Sequence, residues 1–216
     1  MTRDAEGDVP RDGGRRCERP VETVIVEDLI PYVESTFNVT GTCAGRAIDG
    51  FSMGGFGAAH LRFRYPHLFC AISIVGAALH RPGFFREERA DIFEETFGND
   101  EDYCRQESPW MLVRERAEKL KDKMIRLHVG ENDDRLRAKN IDFHDLLDSL
   151  GLVHDFSVVP NAGHNGGHVL DNLDKPWALG RPLGHRIAKA RKDERGVTHR
   201  TLERGTSLLD LDTDPL

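Results

Sequence analysis

Residues 45–63 read GRAIDGFSMGGFGAAHLRF, and this stretch decides the reading of the chain. Its centre, Gly50-Phe51-Ser52-Met53-Gly54, is a G-x-S-x-G. Arg46–Asp49 is a short run leading into it, and the spacing predicts a strand there. Alanine-rich helical spacing follows from Gly54 to Phe63, ending before Tyr65-Pro66 because a residue preceding proline disfavours the helical region. Ser52 is therefore expected on a sharp strand-to-helix turn. Gly50 and Gly54 flank it, where side chains would crowd the backbone. The competing reading is a glycine-rich helix start with a capping serine.

Working outward, Phe69–Val75 is a continuous apolar run bounded by Pro66 and Gly76, as in a strand buried on both faces. Met124–Val129 repeats that signal and closes in Gly130-Glu131-Asn132-Asp133-Asp134. A helix is predicted over Arg137–Leu150 from the face formed by Ile141, Phe143, Leu146, Leu147 and Leu150, with Gly151 as its stop. His154–Val159 is a further strand, ending in Pro160-Asn161-Ala162-Gly163-His164. Upstream, Val21–Phe37 has helical spacing, with Pro31 expected to kink or restart it. Alternation of strands and helices predicts an α/β fold with a parallel sheet flanked by helices. Residues 80–123 are charged, carry scattered aromatics and read as an inserted helical segment. Residues 1–20 read as a loose N-terminal segment, 21–180 as the folded domain and 181–216 as a polar tail, with a helix conceivable in LGHRIAKARKDER.

The bulk numbers narrow the function classes. A chain of 216 residues supports one sizeable domain. Its net charge of −7 argues against nucleic acid or an anionic membrane surface as partner. No apolar run approaches the roughly 20 residues of a membrane span. The first twenty residues lack the apolar core of a signal peptide, so a cytoplasmic location is the expectation. Cys17, Cys43, Cys70 and Cys104 are scattered and read as free thiols, although a bridge such as Cys17–Cys43 is compatible with the sequence.

A serine hydroxyl is a poor nucleophile until a base removes its proton. An acid and a histidine are therefore sought in loops after later strands, at the sheet edge where ligands gather. Asp133 follows the third strand and His164 the fourth, giving the chain order serine, acid, histidine. Asp134 and Glu131 are alternatives for the acid, and His168 and His154 for the histidine. His164 and His168 form an H-x-x-x-H pair, but the glycines around it argue against the rigid helix a zinc site would need. Neither a metal nor an organic cofactor is expected. Asp49 sits on a strand expected to be buried, with Arg46 or a backbone donor as its partner.

GRAIDGFSMGGFGAAHLRFRYPHLF, RLHVGENDD and HDFSVVPNAGHN together resemble the putative esterase group of the α/β-hydrolase superfamily. That group includes feruloyl and acetyl esterases, S-formylglutathione hydrolases and the mycolyltransferase antigens. The resemblance covers about Val21 to His168. It implies Ser52 as nucleophile, Asp133 as acid, His164 as base and the Met53 N–H as one oxyanion donor. It also implies a serine carboxylesterase acting on a small or aryl ester through an acyl-enzyme, or an acyltransferase of the same family. Phe84, Phe85, Phe93, Phe97, Tyr103 and Trp110 would line an acyl or aryl pocket or pack the insertion's own core. Members of the group carry several strands and an oxyanion loop before the VEDLIPY-like helix, whereas here about twenty polar residues precede it. The fold is therefore expected to be N-terminally shortened, with weakened activity and an open sheet edge. A homodimer covering that edge, or a catalytically impaired binding module, is the alternative expectation.

Overall fold

The computed structural model describes residues 21–171 and two short strands at Arg191–Lys192 and Thr198–His199. The expectations for residues 1–20, and for most of the polar tail, lie outside the described residues. The chain divides into two compact units, Met1–Leu179 and Gly180–Leu216.

In the first unit, the leading helix is continuous but not uniform. It comprises α1 (Val21–Thr23), a π-helical stretch (Val24–Leu29) and α2 (Ile30–Thr36). Pro31 supplies no N–H, and the wider turn just before it carries the helix through rather than breaking it. Its apolar stripe is only partly covered, since Leu29 is 50% and Phe37 56% exposed.

The sheet follows the predicted alternation. It is built from β1 (Ala47–Phe51), β2 (Ala71–Val75), β3 (Met124–Gly130) and β4 (Asp155–Val159), all parallel and in chain order across the sheet. Helix α3 (Met53–Arg64) connects β1 to β2, and α9 (Arg137–Ser149) connects β3 to β4. Between β2 and β3 lies the insertion, five short helices: α4 (Phe84–Glu88), α5 (Ala90–Phe97), α6 (Glu101–Gln106), α7 (Pro109–Glu115) and α8 (Ala117–Leu120). Asp100 and Ser108 cap α6 and α7 by accepting from Tyr103 and Trp110 N–H groups.

One sheet face is the main core. Ile72, Ile74, Ile125 and Leu127 pack there with Ala58, Ala59 and Phe63 of α3, Phe143 and Leu147 of α9, and Trp110 of α7. Each such large apolar side chain contributes about 1.5–3 kcal/mol by leaving water. A smaller cluster lies elsewhere, formed by Val75, Val159, Ala162, Phe51 and Val169 of α10 (Gly166–Asp171). Register aligns Asp49, Ser73, Arg126 and Asp155 in one polar row across the sheet.

Three expectations change. Asp49 is exposed on β1 rather than buried, and Arg46 pairs with Glu34 at 2.5 Å instead. Arg191–Lys192 pairs antiparallel with Thr198–His199 as β5 and β6, so the tail is not helical at that point. Cys43 and Cys70 are bridged, so the free-thiol reading fails for both, as does Cys17–Cys43. Pairing of β1 with β2 from Ala47↔Ala71 onward brings the segments before the two strands side by side, with a Cα–Cα distance of 5.0 Å. Strand register creates that proximity, and cysteine spacing does not reveal it. Cys104 is free and buried, and burial pushes its thiol up to about 11.

Candidate active site

Ser52 occupies the turn between β1 and α3 with φ 56° and ψ −117°. A non-glycine residue there is strained, and the surroundings must hold it. Backbone bonds do so: Ser52 N–H donates to the Val75 carbonyl at 3.0 Å, and Ala78 N–H donates to the Ser52 carbonyl at 3.0 Å. Gly50 is required by close approach, since a Cβ there would lie 2.1 Å from the Gly54 carbonyl oxygen. Gly54 differs, because a Cβ there meets nothing within 4 Å. The flanking glycines expected to act as a pair are thus unequal.

Asp133 lies in the loop after β3 and is 2% exposed. One carboxylate oxygen accepts from the Leu136 N–H at 3.2 Å, and the other faces His164 Nδ1 at 2.7 Å. His164, after β4, places Nε2 2.9 Å from Ser52 Oγ. The Phe51 ring lies against its imidazole, with centroids 4.6 Å apart. Ser52, His164 and Asp133 are therefore brought together in one hydrogen-bonded line, as the sequence order predicts. The alternatives are placed elsewhere. Asp134 is exposed, and Glu131 accepts from the Asn161 N–H at 3.1 Å, tying the acid loop to the histidine loop. His168 lies on α10. His154 precedes β4 at the far end of that strand.

The supports of this line were not legible in the sequence. Asn140 is fully buried on α9. Its amide donates to the Ala77 and Leu136 carbonyls at 2.8 Å each and accepts from the Ala77 N–H at 3.2 Å. It fastens the helix after Asp133 to the segment after β2. Gly130 lets the acid loop touch the histidine loop, since a Cβ there would lie 2.3 Å from the Ala162 carbonyl oxygen. Met53, the expected oxyanion donor, opens α3 with its side chain exposed.

The insertion aromatics divide. Trp110 and Phe93 are buried, Trp110 packing edge-on against Phe143. Phe85, Phe97 and Tyr103 line a cavity of about 260 Å³ with Phe56 and His80. Burial first, then the nearby Lys139 charge, pushes His80 down to about 4. Glu22 closes this region by bonding to His60 at 2.6 Å and to Arg64 at 2.9 Å. Burial opposes the charged form of His60, but the Glu22 carboxylate and the Glu107 carbonyl carry its pKa above the ordinary value.

A nucleophile-type turn after one parallel strand, with acid and histidine loops following later strands in that order, defines the α/β-hydrolase fold. The comparisons agree. An S-formylglutathione hydrolase from Agrobacterium tumefaciens superposes with a TM-score of 0.60 at 18% identity, covering 73% of this chain and 56% of that one. A ferulic acid esterase superposes with a TM-score of 0.57 at 27% identity, covering 69% and 56%. Residues 7–164 match the family described as Putative esterase, and the chain belongs to that family. Esterase Rv1288 of Mycobacterium tuberculosis is 28% identical over 168 residues, 68% of this chain. The match spans 36% of that relative's length. Among the described residues, no helix is long and apolar enough to cross a membrane.

Proposed function

We propose that this chain is a serine carboxylesterase that hydrolyses a small or aryl ester through an acyl-enzyme on Ser52. The observation that carries this reading is the Asp133–His164–Ser52 hydrogen-bonded line, with separations of 2.7 and 2.9 Å. His164 Nε2 takes the Ser52 proton as Oγ attacks the ester carbonyl. The Asp133 carboxylate holds the Nδ1–H of His164 and stabilises the imidazolium that forms. The Met53 N–H at the start of α3 faces the developing oxyanion. His164 then returns the proton to the leaving alcohol, and water attacks the acyl-enzyme by the same route in reverse. Phe56, one turn along α3 from Ser52, lines the aromatic cavity, which on this reading would take an acyl or aryl substituent of the substrate.

A fluorophosphonate probe tests the nucleophile. It should add its phosphonyl group to the peptide containing Ser52, and a folded protein that stays unlabelled would reject the proposal. A second reading rests on β1, which among the described residues pairs on one side alone, with β2. Tyr32 of α2 and Phe37 just after it are 60% and 56% exposed. A second copy covering this edge would appear as a dimer in light scattering. The Cys43–Cys70 bridge favours an oxidising compartment over the cytoplasm.

A further inference from the structure

We propose that His144, Asp148 and His154 form a binding site for a divalent transition ion of the zinc type, distant from Ser52. Helix α9 sets His144 and Asp148 four residues apart on one face. His154 arrives from the turn between α9 and β4, at the opposite end of β4 from His164. One donor atom from each of the three lies within 4.8 Å of the other two.

The hydrogen bonds fix which nitrogens face the site. His154 Nδ1 donates to the Leu152 carbonyl at 2.8 Å, so its Nε2 carries the lone pair. That lone pair faces His144 Nδ1 at 2.7 Å. The two rings thus converge on one shared proton. A backbone carbonyl behind the imidazole is the orienting partner that metal-ligating histidines use. The His144 ring is held as well, stacked on Phe156 with centroids 4.1 Å apart and 11° between planes. Asp148 stands beside the outer nitrogens of the two rings, 3.9 Å from His144 Nε2 and 4.0 Å from His154 Nδ1, so its carboxylate must swing toward the facing pair to join them as a ligand. The imidazoles are walled in at 7% and 2% side-chain exposure, while the carboxylate at 24% gives an entry path.

This donor set selects among ions. Imidazole nitrogens suit zinc, copper and nickel, whereas calcium and magnesium take oxygen ligands. Tetrahedral zinc with bonds of about 2.0–2.1 Å places its donors roughly 3.3 Å apart. The two nitrogens open by less than about 1 Å to reach that spacing, the carboxylate moves in, and water takes the fourth position. Binding at Nδ1 transfers the His144 ring proton to Nε2. The ion would pin the end of α9 to the start of β4, a staple rather than a part of the ester chemistry.

The test is calorimetric titration of the full chain with zinc sulfate, paired with thermal melts. One ion per chain is expected. At a hundredfold excess over Kd the melting temperature should rise by about 5–10 °C. His144→Phe keeps the stack on Phe156, and Asp148→Asn keeps the side-chain shape at a partly exposed position. Each should weaken zinc binding at least tenfold while melting cooperatively without zinc. His168→Gln should bind as the unaltered chain does. Absence of binding at millimolar zinc would overturn the proposal. Unchanged affinity in the Asp148 and His144 variants, or loss of binding in His168→Gln, would overturn it too.

Discussion

Replacing Asp133 with Asn tests how the His164 tautomer is set. Asp133 is 2% exposed and bonds His164 Nδ1 at 2.7 Å, so in the native site Nδ1 must donate and Nε2 must accept from Ser52 Oγ. In Asp133→Asn, the amide oxygen keeps the Leu136 N–H and the amide nitrogen turns toward His164. It donates to Nδ1, which moves the ring proton to Nε2, where it opposes the Ser52 proton. The base is then present in the wrong tautomer, with the fold intact. A loss of about 10³–10⁴ in kcat/KM is expected, equivalent to roughly 4–5.5 kcal/mol of transition-state stabilisation. The assay is hydrolysis of a p-nitrophenyl ester, with melting temperature measured in parallel to establish folding. Asp134→Asn should remain within about threefold, because that carboxylate is exposed and outside the line. Near-native rate in Asp133→Asn, with collapse in Asp134→Asn or Glu131→Gln, would refute the assignment of the acid.

Gly50→Ala should destabilise the chain by more than about 3 kcal/mol in urea unfolding, because the new Cβ collides with backbone. Gly54→Ala should stay within about 1 kcal/mol, because its Cβ meets open space. Opening the Cys43–Cys70 bridge, by Cys43→Ser with Cys70→Ser, frees a loop whose ends are 27 residues apart. The chain-entropy relation then gives a loss of about 3.5 kcal/mol, read as a lower urea midpoint. Burial, with the Arg126 charge behind it, pushes His128 down to about 4. The unfolded chain therefore takes up a proton between roughly pH 6.5 and 4 that the native site refuses. The His128 share of stability should be intact above that window and fall through it by up to about 3 kcal/mol, and His128→Gln should remove that share while leaving the similar contribution of His80.

The strand–turn–helix around Ser52 was legible because each local signal agreed: apolar strand, glycines at the turn, proline at the helix end. The three loop residues were legible from order along the chain, since a parallel sheet delivers every such loop to one edge. What escaped detection depends on contacts between segments far apart in sequence. The disulfide needs the β1–β2 register. The Asn140 clasp needs α9 packed beside Ala77. The buried charges were equally invisible: Arg62 is fully buried, with all three guanidinium nitrogens lacking a hydrogen-bond partner and its pKa pushed down to about 10 by burial. Helical spacing places Arg62 beside Phe63 on α3 but does not say that the core receives it. Asp49 is exposed because β1, among the described residues, stands at the end of the strand order, where one edge lacks a partner strand.

The most direct measurement of the central claim is the pre-steady-state burst of p-nitrophenol from p-nitrophenyl acetate, with Ser52→Ala prepared in parallel. The account predicts a burst approaching one equivalent per chain followed by slower turnover, and neither phase in the folded Ser52→Ala variant. Ester hydrolysis at an unchanged rate in Ser52→Ala, or no acylation of the folded native chain, would contradict it.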